Sequence, residues 1–295
     1  MSVAFRKPIG ILVATVCGAI LSSALVGPAL AAPLVFTWSP GAVGLSGGDI
    51  VSANNYNIAD FSSITINQSN GAFTEVGALN VLNFLNNGNT VASPGLGAAS
   101  VPYAGYSLYL TFSAAGQQGP IPTVTGTSTN GAFSSVDYKI IGTTSASPPL
   151  SFSVSNGVVS INDPGTTFVL AYGNLVPDTG FVTLTKTANG FSPQANLNLN
   201  FNECAAAGQG GLGYCSADER PFFVAPTNPM LSLQVGNFSA TDTVTKLTTS
   251  GNNSFLNLQG GAGNLTFQAP VPEPATLALL GAALLGVGVL RRRRR

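Results

Sequence analysis

Histidine is missing from this sequence of 295 residues, and charged side chains make up only 7% of it. Without histidine the chain has no imidazole general base, no imidazole metal ligand and no Ser-His-Asp or Cys-His catalytic set. Soluble domains usually carry about 25% charged residues, so the composition is not that of an ordinary cytoplasmic enzyme. Walker loops, dinucleotide-binding fingerprints and EF-hand loops are missing too. These absences predict a protein that is not an enzyme and that uses no cofactor or metal.

The few charges are distributed unevenly along the chain. Eleven basic and eleven acidic residues cancel overall, but five of the basic ones are the last five residues and two, Arg6 and Lys7, stand near the start. Between Pro33 and Pro270 there remain four basic and ten acidic residues, a net charge of −6. Because an acidic body repels a phosphate backbone, nucleic acid is not expected as a partner.

Residues 1–31 have the three-part layout of a secretory signal peptide. Arg6 and Lys7 give a positive start, and an almost uncharged apolar run follows from Ile9 to Val26. Ala29 and Ala31 supply the small residues that signal peptidase accepts, which predicts cleavage after Ala31, with cleavage after Ala32 as the second choice. A retained membrane anchor is the alternative, and the Ala-x-Ala site disfavours it.

Residues 271–295 form a second separate segment. An uncharged apolar stretch from Ala275 to Leu290 would make a helix of about 24 Å, and long arginine stems can extend its reach across a bilayer. A short motif precedes this stretch: Val271, Pro272, Glu273 and Pro274. A basic cluster follows it: Arg291, Arg292, Arg293, Arg294 and Arg295. By the positive-inside rule the arginines stay in the cytoplasm, which places the preceding chain outside the membrane.

The order of motif, apolar helix and basic tail resembles the PEP-CTERM sorting signal of Gram-negative bacteria. The resemblance implies that an exosortase, a membrane transpeptidase-like enzyme, recognises Pro272, Glu273 and Pro274. It also implies export across the inner membrane, transient anchoring, and release to the cell surface or the extracellular matrix. Two prolines flanking one residue cannot continue a helix, so the motif stays extended where an enzyme can bind it. A plain tail anchor that ends at a proline is the alternative.

Residues 32–270 form the exported body, which is long enough for one large all-β domain or two small ones. No segment holds a 3.6-residue apolar period, whereas short alternating runs recur. The predicted strands are Ser63–Asn67, Tyr106–Phe112, Thr166–Tyr172, Phe181–Thr185, Asn196–Phe201, Met230–Val235, Thr241–Leu247 and Leu265–Gln268. Asn-Gly pairs predict turns that begin at Asn70, Asn87, Asn130, Asn156 and Asn189. This pattern favours antiparallel sheets with one buried face, arranged as a β-sandwich or jelly-roll.

Cys204 and Cys215 are the cysteines that remain after removal of the signal peptide. Two cysteines in an exported protein predict one disulfide, and closing a loop of this size would stabilise the fold by roughly 2–3 kcal/mol. Metal binding is the poorer alternative, because neither a histidine nor a third cysteine is present to complete the ligand set.

Amphipathic aromatic side chains of the kind that stack on sugar rings occur at five positions: Trp38, Tyr103, Tyr106, Tyr109 and Tyr172. The predicted sugar platform consists of Trp38, Tyr103, Tyr106 and Tyr109. The alternative is that these rings belong to the core or to strand faces. Two-carboxylate glycosidase chemistry remains open because it needs only a suitable pair of acids, but the ten acidic residues are more simply solvating charges.

The segments Phe36–Trp38, Phe73–Glu75 and Tyr106–Phe112 are similar to those of flocculation-associated PEP-CTERM proteins. That resemblance implies a non-enzymatic extracellular-matrix protein associated with exopolysaccharide, biofilm or floc formation. Two alternatives stay open at this point. The body could be a carbohydrate-binding module, or it could self-assemble through exposed strand edges.

Overall fold

The structure, a computed structural model, describes residues 33–43, 45, 50–92, 95–97, 105–144, 148–155, 157–204, 222–225, 230–236 and 248–268. About three quarters of these residues lie in strands, and one 3₁₀ turn covers Pro40–Val43. No helix within these ranges is long and apolar enough to cross a membrane. The strands are β1 (Phe36–Trp38), β2 (Ile50–Ala53), β3 (Asn55–Asn67), β4 (Ala72–Asn86), β5 (Asn89–Val91), β6 (Tyr106–Gln118), β7 (Ser128–Thr144), β8 (Ser151–Ser155), β9 (Val158–Asn162), β10 (Thr167–Asn174), β11 (Phe181–Thr187), β12 (Gly190–Asn200), β13 (Asn202–Glu203), β14 (Phe223–Ala225), β15 (Met230–Gly236), β16 (Thr248–Ser250) and β17 (Asn253–Gln268).

Eight strand positions close into one antiparallel sheet. Around the circuit β11, β12, β15, β17, β3, β4, β6 and β7 lie side by side, and β7 pairs again with β11. β10 pairs with the C-terminal half of β7, and β11 pairs with its N-terminal half. Since β10 and β11 run in the same direction along β7, they act as one strand that is interrupted at residues 175–180. The all-β, antiparallel class is confirmed. Opposite halves of the closed sheet face each other across the core, as the two layers of a sandwich do.

The predicted strands that fall in the described ranges are confirmed, and Thr241–Leu247 lies outside them. The Asn87–Gly88 turn is also confirmed, because both residues have positive φ, 51° and 83°, between β4 and β5. The turn predicted at Asn130–Gly131 is wrong, since both residues lie inside β7. A Cβ on Gly131 would stand 2.5 Å from the carbonyl oxygen of Gln117, so this glycine permits β6 and β7 to approach closely rather than making a turn.

A small sheet of β14, β1 and β2 packs against the core at one end of the closed sheet. Phe36 and Trp38 of β1 are fully buried, and their rings contact those of Tyr56, Phe84 and Phe267 at centroid distances of 4.0–6.4 Å. Alternation along β1, β3 and β17 places these rings on inward faces. We call this group the aromatic end of the interior.

The β8–β9 hairpin lies on the outer surface of the closed sheet. Phe152 of β8 stacks on Phe61 of β3 at 5.1 Å between ring centroids, and the backbone N–H of Gly157 donates to Oδ1 of Asn257 at 3.3 Å. Ser63, which faces outward from β3, is buried and donates to the same Asn257 oxygen at 3.3 Å. The hairpin contacts thus bury polar groups on this part of the outer face.

Candidate functional site

The sorting and processing residues predicted from the sequence lie outside the described ranges. This applies to the motif from Val271 to Pro274, to the arginine cluster from Arg291 to Arg295, and to the cleavage residues Ala29 and Ala31. Their structural setting is therefore not part of the site described below.

The predicted disulfide falls partly within the structure. Cys204 is buried, and its backbone N–H donates to the carbonyl of Leu170 at 3.0 Å. Cys215 lies outside the described residues, so the pairing stays a prediction. At the far end of the same segment Phe222 is buried, and its carbonyl accepts the N–H of Ser39 at 2.8 Å. The fold therefore holds the chain on both sides of the predicted disulfide loop.

The predicted sugar platform is wrong for three of its four rings. Trp38 and Tyr106 are both 0% exposed, and Nε1 of Trp38 donates to the hydroxyl of Tyr106 at 3.3 Å. Tyr109 is also buried. A ring can stack on a sugar only through an accessible face, and these faces are covered by the small sheet and by the β8–β9 hairpin. Tyr103 lies outside the described residues.

Tyr109 illustrates how the outer hairpin covers a side chain that the strand pattern places on the outer face. Its ring meets Phe152 at 5.7 Å, and its hydroxyl donates to Oδ2 of Asp163 at 3.0 Å. Burial first, and then the neighbouring carboxyl of Asp163, raise the pKa of Tyr109 above its ordinary value. The Tyr109 hydroxyl is thus held as a neutral donor within the fold.

A polar groove of about 640 Å³ lies on the outer face of β6, β7, β10 and β13, and we call it the outer groove. Strand register aligns its side chains in two rows that run across the strands. The first row holds Lys139, Tyr172 and Asn202, and the second holds Ser113, Asp137 and Asn174. Hydroxyl, amide, carboxylate, ammonium and aromatic groups therefore converge on one surface that the sheet holds rigidly.

The amide and aromatic groups of the outer groove are partly fixed in place. Nδ2 of Asn200 donates to Oδ1 of Asn174 at 2.9 Å, which sets the orientation of that amide. Tyr172 is half-buried, and Asp137 is exposed. With one carboxylate and one ammonium, the outer groove is locally neutral although the body carries a net negative charge.

Two carboxyl side chains lie inside the closed sheet, and we call them the acid pair. Asp60 of β3 is 3% exposed and Glu75 of β4 is 9% exposed. Both line a cavity of about 50 Å³, whose remaining walls are mainly leucine, valine, phenylalanine and alanine side chains from other strands. Buried carboxylates normally sit against a cation or several donors, and this cavity is instead largely apolar.

Ser62 lies between the two carboxyl groups. Its Oγ is 2.7 Å from Oε1 of Glu75 and 3.5 Å from Oδ2 of Asp60. A hydroxyl has one hydrogen to donate, so the short contact is the donated bond and the longer one is too long to be a good hydrogen bond. Gly77 pairs with Ser62 across the strands, and a Cβ there would stand 2.6 Å from Cβ of Ser62. Glycine therefore leaves the space in which these side chains meet.

Burial changes the protonation of the acid pair. It raises the pKa of Glu75 to about 7, against the opposing effect of the bond from Ser62. The pKa of Asp60 is raised well above its ordinary value by burial and then by the charge of Glu75. Oδ1 of Asp60 has no hydrogen-bond partner among the described residues. Near neutral pH the acid pair therefore holds at least one proton.

The acid pair does not have the geometry of a glycosidase site. Two-carboxylate glycoside hydrolysis requires a sugar between the two groups, and a cavity of about 50 Å³ has room for water molecules only. Across the described ranges, no group of three or more aspartate, glutamate or cysteine side chains is arranged to hold a metal ion.

Sequence reasoning missed the acid pair, although a signal was present. Asp60 alternates in phase with Ile58 and Ile64, and Glu75 alternates in phase with Phe73 and Leu79, so both carboxyls fall on inward faces. The outer groove had no comparable signal. Its rows depend on strand register between residues that lie far apart in the sequence.

Residues 270–295 match the family model of the PEP-CTERM protein-sorting motif. The matched residues contain the predicted motif from Val271 to Pro274 and the arginine cluster. Neither the curated proteins nor the solved structures contain a match to the chain.

Proposed function

We propose that this chain, a PEP-CTERM protein by the motif at residues 270–295, is a non-enzymatic protein of the cell surface or extracellular matrix that associates with exopolysaccharide. The sorting motif is the observation that carries the proposal. It indicates export in a Gram-negative bacterium, transient anchoring in the membrane through the C-terminal region, and an exosortase as the processing partner. Signal peptidase, acting after Ala31, is the proposed partner at the other end of the chain.

The chemistry of the body supports a non-enzymatic role. The sequence has no histidine, and the acid pair lies in a cavity too small for a sugar. The side chains that the outer groove presents are suited to holding a polar ligand.

Association with exopolysaccharide, and through it a part in biofilm or floc formation, fits the location and the surface chemistry together. A protein sorted to the cell exterior meets hydrated polysaccharide as its main surroundings. The outer face of the sheet offers amide and hydroxyl side chains in aligned rows, and these groups exchange hydrogen bonds with sugar hydroxyls readily.

Self-assembly through strand edges receives less support from the fold. The long strands β3, β4, β6, β7 and β17 each pair on both sides, and closing a sheet removes the unpaired edges that template assembly. Within the described ranges, unpaired edges belong to short strands such as β5, β9 and β16.

The proposal is tested in cells that produce the protein. We expect a strain lacking it to form fewer flocs and to release more exopolysaccharide into the medium than its parent. In a complemented strain, the substitution Glu273→Gln within the motif should leave the protein in the membrane fraction. Asp178→Asn is the matched control, because it also removes one carboxylate but in an exposed turn, and it should not retain the protein in the membrane. A deletion strain whose aggregation and exopolysaccharide retention equal those of the parent would refute the proposal.

A further inference from the structure

We propose that the outer groove is a saccharide-binding site in which Tyr172 stacks on a sugar ring and Asp137 accepts hydrogen bonds from sugar hydroxyls. This inference rests on the proposed association with exopolysaccharide and names the surface responsible for it. It is independent of the rings predicted as a platform from the sequence, which are buried apart from Tyr103, whose position is not described.

The dimensions of the outer groove suit a short stretch of polysaccharide. It crosses four neighbouring strands, and three spacings between strands give a length of about 14 Å. Its volume of about 640 Å³ falls within the range of roughly 300–1,000 Å³ that small-molecule sites occupy.

Tyr172 provides the aromatic element of the site. Tyr172 is half-buried, whereas the other tyrosines in the described ranges are buried. Among these tyrosines, Tyr172 is therefore the partly accessible one that lines the outer groove. It pairs with Lys139 on one side and with Asn202 on the other. A sugar stacked on this ring would therefore have an ammonium and an amide beside it in the same row.

The polar groups complete the match to a polyhydroxylated ligand. Sugar hydroxyls donate and accept, and the second row of the outer groove supplies an accepting carboxylate at Asp137 beside the hydroxyl of Ser113 and the amide of Asn174. The strand backbones hold the Cα positions of these groups at fixed spacing.

The charge balance favours a saccharide over a phosphate-rich polymer. Lys139 and Asp137 are the ammonium and the carboxylate that line the outer groove, and the body as a whole carries more acidic than basic residues. Strong polyanions are therefore repelled, whereas a neutral or weakly acidic polysaccharide can reach the outer groove.

The test uses the mature protein, purified from cells that export it, and exopolysaccharide extracted from the same culture. Co-sedimentation gives an apparent dissociation constant, with dextran and alginate as unrelated neutral and acidic polymers. Two variants alter the outer groove, Tyr172→Ala and Asp137→Asn. Two matched controls lie elsewhere on the surface, Phe181→Ala at a ring that is 59% exposed and Asp178→Asn in an exposed turn.

We expect saturable binding to the exopolysaccharide, roughly tenfold weaker for Tyr172→Ala and about tenfold weaker for Asp137→Asn, with both controls unchanged. Thermal unfolding of each variant identifies any loss that comes from misfolding, and Asp137→Asn keeps the test decisive if Tyr172→Ala does not fold. Binding by both groove variants as tight as that of the unmodified protein would overturn the outer groove as the site while leaving the proposed association in place. If the unmodified protein did not bind the exopolysaccharide, the inference would be overturned. The proposed function would then be tested separately by the aggregation and exopolysaccharide retention of the deletion strain.

Discussion

The interior of the closed sheet contains two regions that lie four residues apart along β3 and differ in chemistry. At the aromatic end, around Tyr56, rings pack on one another. Around Asp60 the same strand turns a carboxyl group toward a small cavity. Ring packing does not depend on pH, whereas a buried carboxyl stabilises or destabilises the fold according to its protonation. One continuous core thus combines a part whose stability is constant with pH and a part whose stability varies.

Each of the two regions buries one polar oxygen without a hydrogen-bond partner among the described residues: the hydroxyl of Tyr56 at the aromatic end and Oδ1 of Asp60 in the acid pair. At the aromatic end the rings of Trp38 and Phe84 have centroids 4.1 Å apart, and the indole N–H of Trp38 has an acceptor in the hydroxyl of Tyr106. The acid pair lacks such ring packing, and its orphan oxygen belongs to an ionisable group, whose burial costs more than that of a neutral hydroxyl. The comparison indicates that the aromatic end provides stability, while the acid pair is retained at a cost.

The largest expected effect is at the aromatic end. Trp38→Ala should lower the free energy of unfolding by about 3–5 kcal/mol, because it removes a fully buried ring and leaves a cavity. The loss should be the same at pH 5 and pH 8, since the contacts of this ring within the described residues are with other rings and with the hydroxyl of Tyr106, none of which titrates in this range. Urea denaturation of the exported protein at both values measures it.

Phe181→Ala is the matched control, because that ring is exposed on β11 and its loss should change the free energy of unfolding by less than about 0.5 kcal/mol. If Trp38→Ala cost no more than this control, the aromatic end would not be the main source of stability, and the contrast between the two regions would disappear.

The acid pair should give the next largest effect, and its sign depends on pH. The pKa of Glu75 is about 7 in the folded chain against an ordinary value of 4.5, so between these values the unfolded chain loses a proton that the folded chain keeps. Stability therefore falls as pH rises from about 4.5 to 7 and stays low above that. Glu75→Gln should raise the free energy of unfolding at pH 8 by up to about 3 kcal/mol, and by much less at pH 5.

Urea denaturation of the protein and of Glu75→Gln across pH 5–8 makes this measurement. Some slope should remain in the variant, because burial also raises the pKa of Asp60 and that of Glu203. Asp178→Asn, which removes an exposed carboxylate, should leave the slope unchanged. A variant with the same pH slope as the parent protein would show that Glu75 is ionised in both states.

Local sequence pattern was sufficient for strands and faces but not for what covers them. Alternation along the predicted strand Tyr106–Phe112 puts Tyr106 and Leu108 on one face and Tyr109 on the other, and the structure has the same arrangement. It gave no indication that β1 covers the inner face or that the β8–β9 hairpin covers the outer one, because those contacts join segments distant in the chain. For this reason an expected surface platform proved to be buried.

The length of the strands could not be predicted from local sequence pattern either. Gly131 resembles a turn residue locally, and only the close approach of β6 explains its place within a strand of 17 residues. The rows of the outer groove need the register of Lys139, Tyr172 and Asn202 across three strands. The acid pair was different, since the phase of Asp60 and Glu75 with their apolar neighbours was readable in advance.

The smallest expected effect is the difference in pH dependence between the stability losses caused by replacing two neighbouring serines of β3. Ser62 faces inward and donates to Glu75 at 2.7 Å, while Ser63 faces outward and donates to Asn257 at 3.3 Å. Ser62→Ala removes a bond to a carboxylate, so it should cost about 1.5–3 kcal/mol at pH 8 and about 1 kcal/mol at pH 5, where Glu75 is protonated. Ser63→Ala should cost about 1 kcal/mol at both values, because its partner does not titrate. Equal losses for Ser62→Ala at the two pH values, measured by urea denaturation, would mean that the bond between Ser62 and Glu75 does not change with the charge of Glu75.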